Sequence, residues 1–147
     1  MLSDAQGPNL RFIVARRTIE TLRDQPETEW RLADHATIQW LIGPNALLTY
    51  TRDYVLLWRF FSAVPNRCEI RTSLYSRNEA GTDEARKRLD ADFDLQMRVA
   101  GEEDFPAQER VQRVLDSGAL PEVLLGANEV ATRHFHDALE GLIENAS

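Results

Sequence analysis

The sequence predicts an α+β fold in which an antiparallel sheet is followed by C-terminal helices. Two observations carry the prediction. From His35 to Leu74 apolar residues recur at every second position, and from Thr82 onward they recur every three or four. A chain of 147 residues with 43% hydrophobic content suits one domain, because a chain of this size buries about 70% of its unfolded surface on folding.

The elements follow in order. Leu10, Phe12 and Val14 alternate with Arg11 and Ile13 as a first strand would, and Thr18 to Asp24 suits one or two helical turns carrying Ile19 and Leu22 before Pro26 breaks the chain. Ala36, Ile38, Trp40 and Ile42 then oppose His35, Thr37 and Gln39. Gly43-Pro44-Asn45 turns the chain into a strand over 46–52. Tyr54 to Phe61 is apolar on both faces except for Arg59, which suits a central strand covered on each side. After Val64-Pro65-Asn66, the residues Cys68, Ile70, Thr72 and Leu74 alternate with Arg67, Glu69, Arg71 and Ser73, completing a four-stranded meander after the first strand. Cys68, at an inward position, should behave as a small hydrophobe.

Thr82 is an N-cap with Asp83 and Glu84 in the first turn, and Ala85, Leu89, Phe93 and Met97 form a stripe that should lie on the sheet. Gly101 interrupts this helix and Pro106 opens a second one, whose apolar face is Val111, Val114 and Leu115 and whose end is Ser117-Gly118. Leu120 to Leu125 reads as an apolar connector. A last helix from near Ala127 buries Ala131, Phe135, Ala138, Leu139 and Leu142.

Composition excludes several functions. A net charge of −7 and a pI near 5.0 argue against nucleic acid and anionic membrane as partners, since both repel an acidic surface. The single cysteine allows no intrachain disulfide and no thiolate cluster, and no stretch reads as an export signal or a membrane span. The expected compartment is the cytoplasm. Lys87 is the only lysine, which reads as codon usage in a GC-rich bacterial genome. There is no Gly-x-Gly-x-x-Gly or Walker loop, no Gly-x-Ser-x-Gly elbow and no His-Glu-x-x-His. Glu102-Glu103-Asp104 lacks the alternating ligands and turn glycine of a calcium loop.

Asp104, two residues before Pro106, suits the cap of the helix that Pro106 opens. Trp40, Tyr50, Trp58, Phe60 and Phe93 are core residues or the wall of a pocket for a flat hydrophobic ligand. Gln108, one turn beyond Asp104, lines the same cavity or faces solvent, as does Gln112. His134 and His136 are rotated by about 200° on a helix and cannot chelate one metal together. His35 follows Asp34 with no second histidine three to five residues later.

The stretch Gly101-Glu102-Glu103-Asp104-Phe105-Pro106-Ala107-Gln108-Glu109-Arg110-Val111-Gln112, followed by Leu115-Asp116-Ser117-Gly118-Ala119, Asn128-Glu129 and His134-Phe135-His136, resembles the end of the catalytic domain of the Rieske-type aromatic-ring-hydroxylating oxygenase large (alpha) subunit. The similarity runs from about Asn9 to the C-terminus, with Glu69-Ile70-Arg71-Thr72 in the family's order. It implies a helix-grip (START/Bet v 1-like) half-domain and makes Asp104 the carboxylate that, with two imidazoles, holds a mononuclear Fe(II) for dioxygen activation. It also makes Trp40, Tyr50, Trp58, Phe60, Phe93 and Gln108 candidate substrate contacts for an aromatic small molecule. The family's Cys-x-His and Cys-x-x-His pairs and its Asp-x-x-His segment are not in this sequence.

The expectation is therefore the C-terminal portion of such a catalytic domain. It would be incomplete and inactive by itself, hold no iron alone, and depend on an upstream polypeptide for cluster and imidazoles, with homo-oligomers in keeping with the family. Two alternatives stand beside it: a metal-free module binding a flat aromatic ligand, and a self-associating structural remnant.

Overall fold

The computed structural model describes residues 2–77, 81–119 and 122–145. Six strands form one antiparallel sheet in sequence order: β1 (Leu2–Gln6), β2 (Asn9–Ala15), β3 (Ala36–Ile42), β4 (Ala46–Tyr50), β5 (Tyr54–Val64) and β6 (Arg67–Ser76). The α+β architecture with helices after the sheet is the one the periodicity predicts. β1 has no period-two apolar signal; it pairs with β2 through its backbone, Asp4 opposite Arg11.

Cross-strand register sorts the side chains onto two faces, because directly paired residues share a face. One face carries Ile13, Ile38, Trp40, Leu48, Tyr50, Val55, Leu57 and Tyr75, and the other carries Leu10, Phe12, Gln39, Leu47, Thr49, Tyr54, Leu56, Trp58, Phe60, Ile70 and Leu74. The alternation read from Ala36 to Ile42 is the observed one. Turns hold the register: Thr51 is buried, and its hydroxyl donates to the Tyr54 carbonyl while accepting from the Tyr54 N–H, which closes β4 onto β5. The β5–β6 turn needs the left-handed backbone of Asn66, at φ 61°, a conformation that asparagine tolerates better than most residues. A bulge between Phe61 and Val64 shifts the pairing next to that turn, and Cys68, opposite the bulge, is exposed. The inward position expected for it is thus corrected: the regular alternation that would turn Cys68 inward ends where the ladder does.

Between β2 and β3 lie 3-10 turns over Arg17–Asp24 and Glu27–Glu29 and a short helix α1 (Leu32–His35). Leu22 is buried there, as its spacing predicts. The long helical region begins with α2 (Asp83–Val99), capped by the Thr82 hydroxyl accepting from the Ala85 N–H at 3.2 Å. Thr82→Ala is expected to cost about 1 kcal/mol, seen as a lower urea midpoint with unchanged slope, and Thr82→Ser to restore it.

The helix does not end at Gly101. Residues Ala100–Asp104 form a π turn, and α3 (Phe105–Asp116) continues directly from it. Asp104 has helical backbone and makes no capping bond, so the cap reading of Asp104 and the interruption at Gly101 are both corrected. A π turn supplies the missing step: its wider ring accommodates Pro106, which has no N–H to donate and whose ring would crowd the Glu102 carbonyl in a regular helix. Val111, Val114 and Leu115, expected as the buried face of α3, are exposed. The last helix, α4 (Val130–Glu144), begins three residues later than expected and packs near β2. Ala131, Phe135, Ala138 and Leu139, expected to be buried, are half-buried, and Leu142 is exposed. The Leu120–Leu125 connector lies partly outside the described residues.

Candidate metal and ligand site

The helix α2, the π turn and α3 run along the sheet face that carries Tyr54, Leu56 and Trp58. Two contacts place them there. The Tyr54 hydroxyl bonds the Gln96 side chain, and the Trp58 and Phe105 rings meet edge to face, their centroids 6.4 Å apart. Further along, the Gln112 side chain donates to Asn66 in the β5–β6 turn at 3.2 Å and to Asp116 at 2.8 Å.

This geometry divides the sequence-derived candidates. Trp58 and Phe60 lie on the helix-bearing face, and Phe93 sits half-buried on the stripe of α2 that includes Gln96. Trp40 and Tyr50 lie on the opposite face, edge to face with each other at 6.2 Å. Arg77 stacks over Tyr50 at 4.8 Å. The five aromatics therefore do not line one wall. A small pocket of about 60 Å³ involves Trp40, with Asp4, Gln6, Asn9, Leu10 and Arg11, at the β1–β2 end of the sheet and away from Asp104; it is too small for an aromatic ring. Gln108 is exposed, one turn beyond Asp104.

Asp104 is exposed at the end of the π turn, and among the described residues its carboxylate has no hydrogen bond or ion pair. It suits one carboxylate donor. The imidazoles lie elsewhere: His35 ends α1, and His134 and His136 are on α4. His35 Nδ1 and His134 Nε2 are buried without a partner, and the His136 ring packs on Phe135. Among the described residues no group of three or more His, Cys, Asp or Glu is placed to hold a metal ion. The donors present thus fit one prong of a two-histidine, one-carboxylate set and not the set.

A polar cluster that the sequence reading did not single out lies between sheet and helix. Burial pushes the Tyr54 hydroxyl above its ordinary pKa, Asp92 adds to the rise, and Arg16 and the Gln96 bond oppose it. The signal was present in the sequence: Asp92 and Gln96 fall on the sheet-facing side of an otherwise apolar stripe. Because the folded-state pKa is raised, the neutral phenol's contribution is intact below about pH 10 and is lost as the pH rises toward the raised value. Melts between about pH 9 and about pH 11 should therefore show a falling midpoint whose slope is shallower in Tyr54→Phe. An identical slope in the variant would remove Tyr54 as the cause.

No helix among the described residues is long and apolar enough to cross a membrane. Compared with known proteins, the chain matches the model of one family, described as ring hydroxylating alpha subunit (catalytic domain), over residues 6–145. No curated protein and no solved structure matches it.

Proposed function

Since the chain belongs to the ring-hydroxylating alpha-subunit catalytic-domain family, we propose that it is the carboxylate-bearing part of an oxygenase centre that another polypeptide completes. The observation that carries this reading is the presentation of Asp104: an exposed, unpartnered carboxylate on the one irregular turn of a long helix. Asp104 would supply the family's acidic ligand to a mononuclear ferrous iron. The imidazoles and the two-iron cluster would come from the partner. When bound, such iron supplies dioxygen activation; this chain's part is to hold the acid, with the exposed Gln108 one turn beyond it to meet an aromatic substrate.

Surface area supports a partnered state. The chain exposes 11397 Å², whereas a compact monomer of 16.8 kDa exposes about 7,700 Å². The excess, about 3,700 Å² on this one chain, is more than the roughly 1,000–2,500 Å² that each partner contributes to an obligate interface. Candidate occupants are the cluster-bearing polypeptide and further copies of the chain, in a bacterial cytoplasm where aromatic compounds are broken down.

The test is anaerobic loading with Fe(II), with and without a polypeptide carrying the Cys-x-His, Cys-x-x-His and paired-histidine motifs. About one mononuclear iron per chain should be retained after desalting only in the mixture. Stoichiometric iron in the chain by itself, or none added in the mixture, overturns the proposal.

A further inference from the structure

In a regular helix of about 100° per residue, the positions that follow Ala100 onto the sheet side are 104, 107 and 111. Ala100 is 5% exposed, so a continued α-helix would turn Asp104, Ala107 and Val111 toward the sheet. The observed helix does otherwise. The Phe105 N–H donates to the Ala100 carbonyl, five residues back, and Phe105 and Pro106 take the half-buried places. Seven residues beyond Phe105, Gln112 reaches Asn66 in the β5–β6 turn. Asp104 and Ala107 are exposed, and Val111 is 58% exposed. Everything after the π turn is rotated by about one residue.

We propose that the π turn is a positioning element: the extra residue, held by Phe105 against Trp58 and by Pro106, turns the Asp104 carboxylate off the sheet and into the open. Trp58 and Phe105 are then positioning residues, and the apolar side of α3 is displaced outward as a consequence. Pro106 makes the register one-directional, because relaxing to an α-helix would press its ring on the Glu102 carbonyl. The functional weight of this device rests on the reading of Asp104 as a metal ligand; the register itself does not, and its test uses no metal.

Cys68 is exposed and is replaced first, by Cys68→Ser. In that background Asp104→Cys, Val111→Cys and Leu95→Cys report thiol alkylation rates with and without removal of Gly101 combined with Pro106→Ala. Removing one residue should slow labelling at 104 and 111 at least tenfold and leave 95, upstream of the turn, unchanged. Equal rates at 104 and 111 in both registers overturn the proposal. Should the shortened chain not fold, the full-length register is tested directly with a short bismaleimide. The pair Asn66→Cys/Gln112→Cys should cross-link at least tenfold faster than Asn66→Cys/Val111→Cys, and equal or reversed rates overturn it. A correct register with no iron in the mixed assembly would leave this device standing and remove the metal reading.

Discussion

Leu56→Ala is expected to lower the unfolding free energy by about 3 kcal/mol or more, the largest loss from any single truncation of the sheet. Leu56 is 1% exposed, near the start of β5 between Thr49 and Leu74 on the helix-bearing face. Few large apolar side chains share its burial: Leu10 and Leu22 do, with Ala36 and Ala100 the small ones. A core this sparse has little with which to refill the space of a lost isobutyl group, so the cavity cost adds to the transfer cost. Against a typical total of about 5–15 kcal/mol the loss is large. Leu57, the next residue, faces the other side and is half-buried; Leu57→Ala should cost markedly less, about 1–2 kcal/mol. Urea unfolding of the two variants checks this. Equal losses would mean that both faces of the sheet are covered equally, contrary to the packing of α2 and α3 on one side.

The contrast between those neighbours also marks what could be read from sequence. Period-two alternation gave the strands β2 to β6 and the faces of Ala36 to Ile42, because each side chain's direction is fixed by its own backbone. It did not say which face a helix covers, and so it grouped Trp40 and Tyr50 with Trp58 and Phe60. Only the ring contact of Trp58 with Phe105 and the Tyr54–Gln96 bond separate the two sets. The start of α2 was legible from Thr82, Asp83 and Glu84, where capping is a local matter. Its continuation was not. Gly101 and Pro106 are breaking residues by intrinsic preference, and a π turn that retains both needs a tertiary anchor, here Trp58, that no local pattern contains. Asp104 was found by its family context, but its freedom from capping follows from the same unread turn. β1 stayed unread because its residues carry no period-two apolar pattern; it is held by backbone pairing and by the ion pair of Asp4 with Arg11.

That freedom leads to the second large effect. Asp104→Asn should leave stability within about 0.5 kcal/mol of the parent, since an exposed side chain with no partner in the described structure gives up no contact when its charge is removed. A capping aspartate would behave similarly toward asparagine, which caps nearly as well, so the discriminating substitution is Asp104→Ala. A cap would lose about 1 kcal/mol with alanine, whereas an open position in a continuous helix should lose nothing, because alanine is the better helix former. In the assembly with the cluster-bearing polypeptide the same changes act on the metal. Loss of an outer-shell partner already weakens metal binding about 10–100-fold, so removing a first ligand should exceed about 100-fold, read as Fe(II) retained after desalting and as turnover of an aromatic substrate. Neutral effects on folding together with loss of retained iron would separate a working carboxylate from a structural one. Iron retained at parent levels in Asp104→Asn would show that the acid of this turn is not the ligand, whatever the chain's ancestry.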